Sequence, residues 1–147
     1  MEQVSLDKIY NILITGDYSL VICSKRGELH TFRGRGVIDL FNLYNDLPDV
    51  LDGALVADKA VGLGAAVLMS LGNIRKLKTP VISRDAYELL RRSNITVEAE
   101  IIVDFLKNRS GTGRCPLEER LGSLNNPDLI DMLTEIKLFL QDKGILK

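Results

Sequence analysis

Gly53-Ala-Leu-Val-Ala-Asp-Lys-Ala-Val-Gly-Leu-Gly-Ala-Ala-Val-Leu-Met69 is the stretch that decides the fold class. Residues 53–57 are small and apolar and read as a buried strand. Residues 60–69 are apolar on every side, the mark of a buried helix. Their glycines and alanines let such a helix lie close against a sheet. Between the two elements stands a charged pair, Asp58-Lys59. A buried strand running straight into a buried helix is half of a βαβ unit, so the chain is α/β.

The flanks extend this reading. Upstream, Ser5 is a helix N-cap, followed at helical spacing by Leu6, Ile9, Tyr10 and Leu13, with Gly16-Asp17 as the stop. Ser19-Leu-Val-Ile-Cys-Ser24 and Glu28-Leu-His-Thr-Phe32, joined by Lys25-Arg26-Gly27, read as a β-hairpin. Val37, Ile38, Leu40, Phe41 and Tyr44 mark a second helix that ends near Pro48. Downstream, residues 76–82 are a strand candidate. Ser83 caps a helix carrying Ala86, Leu89 and Leu90, with Arg91 and Arg92 in its last turn. Residues 95–102 are the fifth strand, and a Gly-rich loop occupies 108–116. The last helix opens at Asn126-Pro127, with Asn126 as cap, and carries Leu129, Met132, Leu133, Ile136, Phe139 and Leu140. A hairpin followed by βαβ units predicts a five-stranded mixed sheet in a three-layer α/β/α sandwich, one domain over 1–147.

Composition narrows the function. A domain of about 150 residues buries roughly 68–70% of its unfolded surface, so a core forms without disulfides or metal. Nineteen basic and twenty acidic residues give a net charge of −1, which argues against a nucleic-acid partner. One histidine, His30, and two cysteines, Cys23 and Cys115, fall short of the four ligands of a structural zinc site, so no metal and no cofactor is expected. His30 alternates with apolar neighbours and reads as structural, and Cys23 as a small core residue. The N-terminus shows no signal peptide, and the longest apolar stretch is too short for a bilayer, which takes about 20 residues. These features predict a cytoplasmic protein with reduced thiols and no membrane partner. Phosphate-loop, dinucleotide, nucleophile-elbow and zinc-protease motifs are all absent.

Three segments carry candidate chemistry. Asp58 and Lys59 sit where a strand ends and a helix starts, the usual ligand position in open α/β sheets. The plainer reading makes Asp58 a cap and Lys59 a solvated side chain. The second segment is Arg109-Ser-Gly-Thr-Gly-Arg-Cys-Pro116. Gly111, Thr112 and Gly113 offer backbone N–H groups for an anion, and Arg109 and Arg114 add charge. Cys115, beside Arg114 and a short helix opened by Pro116, is a candidate nucleophile. A flexible connector with an incidental cysteine is the alternative. The third, Arg33-Gly34-Arg35-Gly36, heads the second helix; a turn with exposed arginines is the better reading there.

The order of elements, with Val56-Ala-Asp-Lys-Ala-Val-Gly62, Ala65-Ala66, Val81-Ile-Ser83 and Gly111-Thr-Gly-Arg-Cys-Pro-Leu-Glu118, resembles an uncharacterised, mainly bacterial domain-of-unknown-function family. Its structural representative is a hypothetical Thermotoga protein. The resemblance spans residues 6–140 and implies a cytidine deaminase-like fold. Zinc deaminases carry His-x-Glu or Cys-x-Glu at the start of the second core helix and Pro-Cys-x-x-Cys at the start of the next. Here those places hold Ala57-Asp58-Lys59 and Ile82-Ser83-Arg84-Asp85, so the resemblance implies the fold without its zinc. The expectation is a pocket for a small anionic or nucleotide-like ligand, lined by Asp58, Lys59, Ser83 and the 109–115 loop. A thiol-dependent enzyme using Cys115, or a homodimeric interaction module built on the last helix, are the alternatives.

Overall fold

A computed structural model describes residues 5–108 and 110–146. α1 (Leu6–Thr15) is started by Ser5, whose hydroxyl oxygen accepts from the Lys8 N–H at 3.1 Å. β1 (Leu20–Cys23) and β2 (Leu29–Phe32) form the hairpin, with Leu20 opposite Phe32 and Cys23 opposite Leu29. α2 (Ile38–Asp46) and the one-turn α3 (Pro48–Leu51) follow. Then come β3 (Leu55–Asp58), α4 (Leu63–Leu71), β4 (Lys76–Ser83), α5 (Arg84–Arg92) and β5 (Thr96–Val103). α6 (Pro116–Gly122) and α7 (Leu129–Asp142) close the chain.

The five strands form an open sheet in the order β2-β1-β3-β4-β5. β1 is antiparallel to both β2 and β3, and β3, β4 and β5 run parallel. Successive strand residues point to opposite faces, which splits the core in two. Val21, Cys23, Leu55 and Ala57 meet Leu6, Ile9 and Leu13 of α1 on one face. Leu20, Ile22, Val56 and Leu77 meet α2 and α4–α7 on the other. The fold is therefore the expected mixed sheet flanked by helices. α4 is central to the larger layer, with Ala66, Val67, Leu68 and Met69 fully buried. No helix among the described residues is long and apolar enough to cross a membrane.

Two boundaries depart from the sequence reading. α4 begins at Leu63, not at residue 60: Val61 first makes a parallel bridge to Ile82, with its N–H on the Val81 carbonyl at 3.0 Å. The backbone thus keeps sheet hydrogen bonds beyond β3 before turning into the helix. α7 begins at Leu129, not at Asn126-Pro127. Asp128 is its cap: the Asp131 N–H donates to Asp128 at 2.8 Å and the Asp128 N–H donates to Asp131 at 3.1 Å. This reciprocal box satisfies two backbone donors, where a lone Asn cap serves one. Asn126 instead takes a left-handed turn conformation, φ 53°.

Candidate functional site

Asp58 is the last residue of β3 and lies opposite Leu20. It shares a sheet face with Val56, the face covered by α2 and α4. Beyond it the chain stays on the sheet, with the Lys59 N–H on the Ser19 carbonyl at 3.1 Å and the Ser83 N–H on the Val61 carbonyl at 3.0 Å. Gly62 then caps α4. A cavity of about 900 Å³ opens at this end of the sheet, beside the start of α4. Its size and place match small-molecule sites of open α/β sheets.

Besides Glu118 of α6, two carboxylates line this cavity, Asp58 from β3 and Asp39 from the first turn of α2. Burial pushes the Asp58 carboxyl up from its ordinary 3.8 to about 7; the Ala60 and Lys59 N–H groups oppose this, and the Asp39 charge adds to it. The Asp58–Ala60 contact is long, 3.4 Å, so it compensates little. Burial also raises Asp39, against a hydrogen bond from the Gly34 backbone. A Cβ on Gly34 would meet the Asp39 carboxylate, so a larger residue here would have to displace that side chain. Neither carboxylate has an ion-pair partner among the described residues. Cations stand elsewhere on the wall: Arg35, Lys59, Lys107 and Lys143. Leu63, Leu106, Leu117 and Phe139 supply apolar surface.

The structure brings Asp58, Lys59 and Cys115 to one cavity. Lys59 directs its ammonium to Asp17 at 2.7 Å, a solvent-exposed pair of little energetic weight. Asp58 does not cap α4, as the plainer sequence reading had it, because the helix starts further on. Cys115 is half-buried, free, and the cap residue of α6. Ser83 is fully buried and caps α5 instead of lining the cavity. Arg109 lies outside the described residues. Gly111, Thr112 and Gly113 are not on the cavity wall: the Gly111 N–H donates to the Asn108 carbonyl at 3.0 Å and the Thr112 N–H to the Asn108 side chain at 3.1 Å. Those amides serve the turn itself. Arg114 stacks over Phe105, 4.6 Å from its centroid, beside a separate and smaller hollow. By contrast Gly34, Arg35 and Gly36, the segment ranked last from the sequence, line the cavity. His30 lies on β2, outside it.

Sequence reasoning missed Glu118. This α6 carboxylate is only 7% exposed. One oxygen accepts from the Leu63 N–H and from the Ser83 hydroxyl, both at 2.7 Å. The other accepts from the Leu106 N–H at 2.8 Å. Glu118 thus ties α6 to the starts of α4 and α5 and to the segment after β5. A Cβ on Gly62 would lie 2.9 Å from its Oε2, so this carboxylate also explains the glycine. The available signal was its position next to Leu117 and three residues before Leu121, both buried.

The family model described as TM1506, domain of unknown function (DUF1893), matches residues 8–142. This chain belongs to the DUF1893 family. A crystal structure of a DUF1893 family protein (TM1506) from Thermotoga maritima superposes with a TM-score of 0.78 at 23% identity, covering 97% of this chain and 92% of that one. The two share their fold. No curated protein matches this chain. In this DUF1893 member, no group of three or more His, Cys, Asp and Glu among the described residues is arranged to hold a metal.

Proposed function

We propose that this DUF1893 protein is a cytoplasmic, cytidine deaminase-like domain without catalytic zinc that binds a small anionic, nucleotide-like ligand in the Asp58 cavity. The observation that carries this reading is the half-buried Asp58 carboxyl on the wall of a roomy cavity, without an ion-pair partner among the described residues. Such a group lowers stability at neutral pH, and groups perturbed by burial inside clefts concentrate at functional sites. The deaminase-like part is supported by the sheet order and by α4 and α5 starting beyond the ends of β3 and β4. Zinc ligands of deaminases stand at two such helix starts. Here Glu118 joins the two starts through Leu63 and Ser83.

The roles follow from the wall. Asp58 and Asp39 accept from, or share a proton with, the polar edge of the ligand. Leu63, Leu106 and Phe139 pack its apolar body, and Arg35, Lys107 and Lys143 balance its negative charge. Lys59 joins them at small cost by leaving Asp17. Cys115 faces the same space, but its sulfur has no hydrogen-bond partner among the described residues, which gives thiol catalysis less support. A homodimer is the second reading, favoured by Ile130 and Leu138, which stay exposed on α7 while Met132, Ile136 and Leu140 fill the core.

Calorimetric titration with the four nucleoside 5′-monophosphates and the matching nucleosides tests the proposal. At least one monophosphate is expected to bind, and its nucleoside at least about tenfold more weakly, the loss of roughly 1.4 kcal/mol of anion contacts. Replacing Lys107 and Lys143 together by alanine is expected to weaken the monophosphate about 3- to 10-fold and to leave the nucleoside unchanged. Equal binding of both forms, or of neither, contradicts it. Light scattering at high concentration reads the dimer separately.

A further inference from the structure

We infer that Glu118 is an internal anion, a latch by which α6 is held to the body of the protein and which a free carboxylate can replace. Glu118 reaches across the molecule: its donors are 55 residues away at Leu63, 35 at Ser83 and 12 at Leu106. Their three hydrogen bonds, 2.7–2.8 Å long, are in the short range of charge-assisted bonds. Ser83 Oγ is itself fully buried and has no other acceptor among the described residues. The Leu63 N–H belongs to the first turn of α4 and keeps its position when the carboxylate leaves, whereas Leu106 is also tied to the cap of α6, its carbonyl accepting from the Cys115 N–H at 2.8 Å. What remains is a ready-made carboxylate cradle, whose shape is kept open by the missing Cβ of Gly62.

The cradle is also within reach of solvent. Leu63, Leu106 and Glu118 all line the cavity, so an anion entering the cavity meets the donors that Glu118 now occupies. Docking of α6 and binding of an outside carboxylate at these donors are therefore alternatives. The carboxylate-bearing segment is short, seven residues opened by Pro116, and its buried apolar anchors are Leu117 and Leu121. Arg120 ties α6 to Glu135 and Asp142 of α7, and Glu118 supplies its polar ties to α4 and α5.

Chemical rescue tests this. The wild type, Glu118→Ala and Glu118→Gln are melted in sodium chloride and in sodium formate at matched ionic strength. Alanine vacates the cradle, whereas glutamine still fills it. Formate is expected to raise the melting midpoint of Glu118→Ala saturably, by at least about 4 °C. The wild type and Glu118→Gln are expected to move together and by much less. Equal formate shifts in all three proteins, or none in Glu118→Ala, overturn the inference. If Glu118→Ala is unfolded in chloride, formate must restore its helical circular dichroism. Hydrogen exchange of Glu118→Gln gives an independent reading: the Leu63 and Leu106 amides are expected to exchange at least about tenfold faster, while the Leu77 amide speeds up by no more than the global loss of stability measured in urea accounts for. Unaltered exchange at Leu63 and Leu106 also overturns it.

Discussion

Converting Asp58 to asparagine is expected to stabilise the protein at pH 8 and to change little at pH 4. Folding raises the Asp58 carboxyl from 3.8 to about 7. Between those values the native state holds a proton that the unfolded chain has released. Stability contributed by that proton is complete below about pH 4 and is lost as pH rises through 7. A full shift of this size corresponds to about 4 kcal/mol, and water reaching the cavity reduces it, so a gain of about 2–4 kcal/mol is expected for Asp58→Asn at pH 8. Asp39, raised in the same direction by its burial, leaves a smaller slope in the variant. Urea unfolding at pH 4, 6 and 8 measures the effect. A wild type that gains stability from pH 5 to 8 relative to Asp58→Asn contradicts the burial of this carboxyl. The same substitution keeps the shape of the carboxyl and a donor group but removes its titration, so the dependence of binding on the Asp58 charge around pH 7 is expected to disappear.

The second large effect is at Glu118. Glutamine is nearly isosteric, but it places an NH₂ group where one carboxylate oxygen now accepts. Turned one way, that NH₂ confronts the Leu106 N–H; turned the other, it confronts Leu63 and Ser83. Each orientation leaves a buried donor unpaired, at about 1–3 kcal/mol, and the remaining bonds fall from charge-assisted to neutral strength. Glu118→Gln is therefore expected to lower stability by about 2–4 kcal/mol in urea at pH 7. A loss under about 0.5 kcal/mol, the range of ordinary surface substitutions, contradicts the role given to this residue.

Local patterns announced most of the scaffold. The small apolar strand before Asp58, the all-apolar helix after it, and the Ser5 and Ser83 caps each state their conformation within a few residues. The site was half legible for the same reason. Asp58 and Lys59 were found because a charged pair between two buried elements marks a strand end. Asp39 and Glu118 were not, because each looks like an ordinary acidic residue in a first helical turn, where it suits the helix dipole. Their importance lies in partners far along the chain, and a single sequence carries no record of such contacts. The Gly111–Gly113 stretch shows the opposite limit of local reading. Its composition fits an anion nest, but Asn108 takes the amides for the turn. The Asn126 cap lost to Asp128 because a reciprocal carboxylate box two residues later satisfies more of the backbone.

Asp58 is a half-buried acid on the wall of a ligand cavity, with its carboxyl held well above the usual carboxylate range. NMR of the side-chain carboxyl carbons, titrated from pH 3 to 9 with and without the monophosphate that binds best, tests it most directly. The expected result is an Asp58 transition near 7 that moves on binding, with amide shifts gathered at Gly34–Asp39 and Asp58–Ala65. An Asp58 that titrates near 4, with amide shifts gathered elsewhere, contradicts it.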